Sequence, residues 1–263
     1  MISLTFTPKI IFFDLDGTLI DHKENEIPSS TIFTLQELKK RGHILVIATG
    51  RPPCLFYNIE KMLNIDTYIA SNGRYVRHKD QILLNDFISN EVVTRFVDDM
   101  TRKGIDVAFE SEDDFVINRK SNPLASQFLN YFNLKEPKIE EDYHKKHDIL
   151  QMVMFHDSKD FQRIAKKYPE LDFNISCPYG IDINTKGGMK EIGVKIVTEH
   201  FGYDIKDTIA VGDGYNDISM IKMAGLGIAM GNACEPLKEV ADFVTAACHD
   251  QGVYKAFKDL KMI

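Results

Sequence analysis

Two hydrophobic rhythms alternate along this chain and divide it into three stretches. In the first stretch, short unbroken apolar runs stand between amphipathic segments. Lys9-Ile-Ile-Phe-Phe13 is one such run, His43-Ile-Leu-Val-Ile-Ala48 the second and Thr67-Tyr-Ile-Ala70 the third. A run with no polar position fits a parallel strand covered on both faces. Between the first two, Ile32, Leu35 and Leu38 fall on one stripe of a helix that Ser29 or Ser30 can cap and Gly42 can end. Pro52-Pro53 opens a further helical stretch. The last quarter repeats the rhythm. A helical segment from about 189 to 201 leads to Asp207-Thr-Ile-Ala-Val211, and one from 217 to 224 leads to Leu226-Gly-Ile-Ala-Met230. Strands and helices alternating at this spacing predict βαβ units, hence an α/β fold with a doubly wound, Rossmann-like parallel sheet.

The middle stretch, from about 84 to 185, reads differently. Val107-Ala-Phe109, Phe115-Val-Ile117, Met152-Val-Met-Phe155 and Phe173-Asn-Ile175 sit among alternating polar positions. That pattern suits an antiparallel sheet with one wet face. Helical segments at 90–103, 124–132 and 159–167 lie between these strands. The expectation is a separate α+β domain, residues 84–185, inserted into a core built from 1–83 and 186–263.

Composition narrows the function. The 263 residues carry 32 Lys plus Arg against 39 Asp plus Glu, a formal net charge of −7. This argues against nucleic acid as a partner, because phosphate neutralisation needs clustered positive charge. No apolar run approaches 18 residues, so neither a membrane span nor a signal-like segment is expected. Cys54, Cys177, Cys234 and Cys248 stand far apart with no C-x-x-C pair, which predicts free thiols in a reducing, cytoplasmic compartment. The pattern specifies no oligomeric state.

The candidate chemistry lies at strand ends. Asp14-Leu15-Asp16-Gly17-Thr18 follows the first buried run directly, and in a doubly wound sheet ligands bind beyond the carboxyl ends of strands. Two carboxylates this close repel unless a proton or cation intervenes. An EF-hand loop is excluded, since Thr18 stands where that loop needs Asp or Asn. Gly212-Asp213-Gly214-Tyr215-Asn216-Asp217 repeats the arrangement after another buried run. Asp217 replaces the third glycine of a dinucleotide fingerprint, and its carboxylate would repel a pyrophosphate; a hard cation such as Mg²⁺ suits the cluster instead. Thr49-Gly50-Arg51 closes the second strand ahead of a helix start, a good place to meet phosphate. Lys190 lies early in the helix that precedes the Asp207 strand.

In this order the four segments resemble the haloacid dehalogenase superfamily. Its pattern is D-x-D-x-T, a Ser/Thr strand end, a lysine and an acidic G-D-x-x-N-D turn. This chain supplies Asp14, Asp16 and Thr18, then Thr49, then Lys190, then Gly212-Asp213 and Asn216-Asp217. The insert between Thr49 and Lys190, together with Asn72-Gly73, is similar to the C2-capped, Cof-type sugar-phosphate phosphatases. The resemblance implies that Asp14 is the nucleophile and forms an aspartyl-phosphate, while Asp16 is the general acid and base. It implies Mg²⁺ on the Asp14 carboxylate, the Asp16 carbonyl and Asp213, with Asp217 a ligand or a support. Thr49, Lys190, Asn216 and the amides of Leu15 and Gly50 would hold phosphoryl oxygens. Lys186, four residues earlier, is the alternative to Lys190, because relatives often carry Lys-Gly where this chain has Lys190-Glu191.

The expected substrate is a small phosphorylated metabolite, with phosphoryl contacts wholly in the core and leaving-group contacts in the cap. A phosphohexomutase-like phosphotransferase is the alternative enzyme, disfavoured because Arg95, Arg102, Arg119 and Arg163 do not cluster in the insert. A non-catalytic phosphometabolite sensor is a third reading, against which stands the intact catalytic set. His144-Lys-Lys-His147 reads as a solvated loop, and Phe128, Tyr131 and Phe132 as a helix face turned to the core. Asp21 and His22 stand close enough to the first motif to approach the site.

Overall fold

All four residues of Ile10–Phe13 are buried, as an unbroken apolar run requires, and this strand, β1, lies inside the larger of two sheets. The computed structural model describes residues 8–21, 24, 26–157 and 159–263. After β1 come α1 (Ser29–Lys40), β2 (Ile44–Ala48), α2 (Tyr57–Leu63), β3 (Thr67–Ala70), β4 (Tyr75–His78) and β5 (Gln81–Asn85). The middle of the chain adds α3 (Asn90–Arg102), β6 (Val107–Glu110), β7 (Phe115–Ile117), α4 (Pro123–Tyr131) and β8 (Lys138–Ile139). It continues with β9 (Gln151–Met154), α5 (Gln162–Ala165), β10 (Leu171–Cys177) and β11 (Gly180–Thr185). The last part holds α6 (Lys190–His200), β12 (Thr208–Gly212), α7 (Ile218–Met223), β13 (Leu226–Ala229), α8 (Glu235–Lys238), β14 (Phe243–Val244) and α9 (Gly252–Asp259).

The larger sheet runs β14-β13-β12-β1-β2-β3-β4-β5. Neighbours from β14 to β3 are parallel, and β3-β4-β5 closes the edge antiparallel. From β1 the chain winds one way into β2 and β3, and the returning chain winds the other way through β12, β13 and β14. Strand order therefore reverses between β1 and its two neighbours, which opens a crevice at their carboxyl ends. Ile11 and Phe13 pack with Leu35, Leu38 and Phe257 on one face. Ile10 and Phe12 pack with Val194, Val197 and Ile221 on the other. This is the doubly wound α/β core that the alternating runs predict.

The smaller sheet runs β10-β11-β9-β6-β7-β8 and is antiparallel except for β7–β8. The predicted wet face is not wet along its centre: β6 and β9 are buried at every residue. The α3 residues Phe96 and Met100 cover one side, while Phe128 and Leu129 of α4 cover part of the other. The remainder of that second side overhangs the crevice of the larger sheet.

Local expectations fail where tertiary contacts take over. No side chain caps α1, and Ser29 is itself its first residue, behind Pro28. The larger sheet keeps the chain as far as Asn85. The predicted 159–167 helix is a single turn, Gln162–Ala165. His144 is not solvated: a 3₁₀ turn buries it with Tyr143, its ring 5.1 Å from that of Phe109, and His147 stacks on Tyr143 at 4.1 Å. Asp21 is buried in a bridge with Glu26, and His22 lies outside the described residues. All four cysteines are free, Cys177 and Cys248 buried, Cys54 and Cys234 half-buried. Among the described residues no helix is long and apolar enough to cross a membrane.

Candidate active site

β1 and β12 end side by side, and Asp14 extends the ladder by donating its N–H to the Val211 carbonyl at 2.9 Å. Its carboxylate therefore points past the sheet edge into the crevice, while Asp213 arrives from β12 one residue beyond Gly212. The chain must turn back at once after Asp16, and Gly17 allows it with φ +81°. A Cβ on Gly17 would collide with the Asp213 carboxylate.

Lys190, the first residue of α6, is fully buried. Its ammonium reaches Asp14 Oδ1 and Asp217 Oδ1, each at 2.5 Å. The other oxygen of Asp217 accepts the amides of Asp213 and Gly214, both at 2.9 Å. Asp213 is held by the Thr18 hydroxyl at 3.1 Å and by Asn232 Nδ2 at 3.2 Å. Lys186 is exposed and contributes only a backbone bond to Glu170. The helix phase explains the difference: Lys190 opens α6 on its sheet-facing side, whereas Lys186 lies on the surface before it.

Oxygen atoms of Asp14, Asp213 and Asp217 all lie within 4.8 Å of one another. Burial and the Asp217 charge raise the pKa of Asp14 well above the carboxylate range, against the pull of Lys190. Burial, then Asp217, pushes Asp213 up to about 7. Burial pulls the Lys190 pKa down, but Asp14 and Asp217 outweigh it and hold the ammonium above its ordinary range. One buried cation thus faces three acids, so the cluster carries an excess of negative charge when ionised.

Thr49 follows β2 directly, and its hydroxyl accepts the Arg51 N–H at 3.1 Å. Arg51 turns back across the crevice and grips Asp16 with two bonds, Nε to Oδ2 at 2.8 Å and Nη2 to Oδ1 at 2.5 Å. Asn216 donates to Asn72 Oδ1 at 3.0 Å, beside Gly50. Above these groups lies a cavity of about 510 Å³. Asp14, Asp16, Gly50, Arg51 and Asn216 form its floor, and Glu110, Gln151, Asp182 and Ser176 of the smaller sheet its polar roof. Phe128, Tyr131 and Phe132 form an aromatic wall. The core-face reading of these three rings holds for buried Phe128 and fails for Tyr131, which is 53% exposed on the cavity side. Burial pushes Asp182 up to about 7; burial and then the Asp182 charge raise Glu110 as well.

Four contributors carry no sequence signal of their own weight. Arg51 stands inside a motif chosen for its threonine, and Asn72 inside one noticed only for its turn. Asn232 and Gln151 belong to no motif; Asn232 meets the Gly17 carbonyl across 215 positions of chain at 2.9 Å.

Oxygen donors, a buried lysine and a roofed cavity at the switch point of a doubly wound sheet define an enzyme site built for a charged oxyanion. The sequence profile of the haloacid dehalogenase-like hydrolases matches residues 11–257, and the chain belongs to that family. YkrA of Bacillus subtilis (strain 168) is 34% identical over 255 residues, 97% of this chain and 98% of its own. The 5-amino-6-(5-phospho-D-ribitylamino)uracil phosphatase YitU of the same organism is 27% identical over 265 residues, 96% of this chain and 97% of its own. The solved structure of the subclass IIB sugar phosphatase BT4131 superposes with a TM-score of 0.88 at 30% identity, covering 97% of this chain and 100% of that one. The chain is accordingly a phosphatase of this superfamily, acting on phosphorylated substrates.

Proposed function

We propose that the protein is a Mg²⁺-dependent phosphatase of small phosphorylated metabolites that works through an aspartyl-phosphate on Asp14. The observation that carries this reading is the Asp14–Lys190–Asp217 bridge, which aims a buried carboxylate into the cavity and supplies a cation beside it. The Asp14 carboxylate attacks phosphorus, and the bond to the leaving oxygen breaks. Asp16 gives that oxygen a proton and then takes one from water, which cleaves the acyl phosphate and frees Asp14 and inorganic phosphate. Asp16 is paired with Arg51 here; as a carboxylate it has to leave that pair and take up a proton from solvent before it can give one to the leaving oxygen.

The donor set fits Mg²⁺: only oxygens, three of them carboxylates crowded into excess negative charge. The Asp14 and Asp213 carboxylates and the Asp16 carbonyl would hold the ion. Asp217 supports from behind, since both its oxygens are already engaged by Lys190 and two amides. A bound Mg²⁺ neutralises charge on the transferring phosphoryl group. Thr49, Lys190, Asn216 and the amides of Leu15 and Gly50 take the remaining phosphoryl oxygens. Residues 84–185, apart from Leu84 and Asn85 at the end of β5, serve as the cap over a core of 1–83 and 186–263, and the cap's aromatic wall and polar roof contact the leaving group. The sugar-phosphate and ribitylaminouracil-phosphate activities named for two relatives support a small metabolite as substrate. Four free thiols suit a reducing, cytoplasmic setting.

The test is a hydrolysis screen over phosphorylated metabolites, before and after chelation, with Asp14→Asn beside the wild type. Activity should vanish with the chelator, return with Mg²⁺ and be absent from Asp14→Asn. Turnover by the metal-stripped wild type, or by Asp14→Asn, overturns the mechanism.

A further inference from the structure

One side-chain amide closes the seam between the two sheets. Gln151, the first residue of β9, is 1% exposed, and both ends of its amide are used. Its Nε2 donates to the Gly50 carbonyl at 3.1 Å and to Glu110 Oε2 at 2.7 Å. Its Oε1 accepts from Asn72 Nδ2 and Asn184 Nδ2, each at 2.9 Å. Glu110 and Asn184 belong to the smaller sheet, whereas Gly50 and Asn72 belong to loops of the larger one.

Both contacts to the larger sheet lead on to phosphate ligands. The Gly50 carbonyl shares a rigid peptide plane with the Arg51 N–H, which donates to the Thr49 hydroxyl at 3.1 Å. The Asn72 amide uses its other end, Oδ1, to accept from Asn216 Nδ2 at 3.0 Å. Asn72 is itself buried at φ +53°, a left-handed conformation that Asn tolerates better than most residues. A Cβ on Gly50 would sit 3.1 Å from Asn72 Oδ1 and 3.3 Å from Asn216 Nδ2, so these three residues stand in close contact.

We infer that Gln151 is a positioning residue for phosphoryl transfer. When the smaller sheet docks, its amide orients the Thr49 hydroxyl through the Gly50 peptide and the Asn216 side chain through Asn72. The inference rests on the proposal above that Thr49 and Asn216 hold phosphoryl oxygens. It breaks the division of labour expected from the sequence, in which the cap touches only the leaving group. Closure over any substrate then completes the phosphate cradle, and an open enzyme holds that cradle loosely.

The variant that tests this is Gln151→Leu, similar in size and without hydrogen-bonding atoms. Its readouts are inhibition by inorganic phosphate and kcat for several esters, with the thermal midpoint as a check on folding. Phosphate inhibition should weaken roughly tenfold, and kcat should fall by a similar factor for every ester. Tyr131→Ala, on the wall of the same cavity, should instead reorder preference among esters and leave phosphate inhibition unchanged. Asn72→Gly, compatible with the positive φ, tests the same relay from the core side. It should reproduce Gln151→Leu, and the double variant should lose little more than either single one. Unchanged phosphate inhibition in Gln151→Leu, a loss confined to some esters, or full additivity with Asn72→Gly overturns the inference. Asn216→Ala separates the two levels. If it alone leaves phosphate inhibition intact, the assignment of Asn216 falls, and the Gln151 effect runs through Gly50 and Thr49.

Discussion

Replacing Lys190 by Met keeps the length of the side chain and removes its charge, which isolates what the buried ammonium does. It is wholly buried and 2.5 Å from one oxygen of each of two carboxylates. At an effective dielectric of about 20, each contact represents roughly 6–7 kcal/mol of gross Coulomb attraction. Desolvation offsets most of that, and breaking such a pair from one side costs about 3–5 kcal/mol. Proton uptake by the carboxylates relieves part of the loss, because burial and crowding already raise Asp14 and hold Asp213 near 7. A net cost of about 3 kcal/mol corresponds to a fall in Tm of roughly 6 °C for a chain of this size. Activity should suffer more. Loss of one charged donor to the transferring oxyanion costs about 10²–10³ in kcat. Lys190 also lowers the pKa of Asp14, so without it the nucleophile ionises only at higher pH, and the acidic limb of the rate profile moves up. The assay is single-turnover hydrolysis of an aryl phosphate at saturating Mg²⁺ between pH 5 and 9, with Lys186→Met as the companion. Retention of more than about a tenth of wild-type kcat by Lys190→Met, or the full loss in Lys186→Met instead, would refute the reasoning.

Asp16→Asn should lose rate most on poor leaving groups, such as sugar phosphates, and least on aryl phosphates. Equal losses on both would assign Asp16 a structural role. Asp182→Asn should raise stability at pH 8 by about 1–2 kcal/mol and leave it nearly unchanged at pH 4. The Asp182 carboxyl titrates near 7 in the folded chain against an ordinary 3.8, so unfolding releases its proton between those values, and stability falls as pH rises through that window. Urea unfolding at the two pH values decides this, and an equal difference at both would contradict it. Gly17→Ala should cost about 1–3 kcal/mol and most of the activity, since φ +81° strains alanine and its Cβ meets the Asp213 carboxylate. Urea unfolding and kcat near the wild-type values would refute that.

The larger sheet was legible because its strands are covered on both faces. Ile10–Phe13, Ile44–Ala48 and Thr208–Gly212 need no knowledge of their partners to be read as buried. The first acids beyond two of those strands, Asp14 and Asp213, were legible for the same reason, because the end of a parallel strand is a position in sequence as well as in space. The smaller sheet was legible in kind and misjudged in exposure: β6 and β9 alternate enough to suggest a wet face, yet α4 and the crevice cover it. His144 was misread because its burial depends on Phe109, which reaches it only through the fold.

Local pattern by itself determined the doubly wound sheet, the insert and the acids at the strand ends, because each depends on residues within a few positions of one another. It could not choose between Lys190 and Lys186, since the choice depends on where α6 begins against the sheet. It gave no notice that Arg51 holds Asp16, that Asn232 steadies Asp213 or that Gln151 joins the sheets at Gly50 and Asn72. Those bonds span 35, 19, 101 and 79 positions of chain. A polar side chain leaves no periodic trace of a partner so far away. Only tertiary packing removes water from both partners and makes the hydrogen bond between them count.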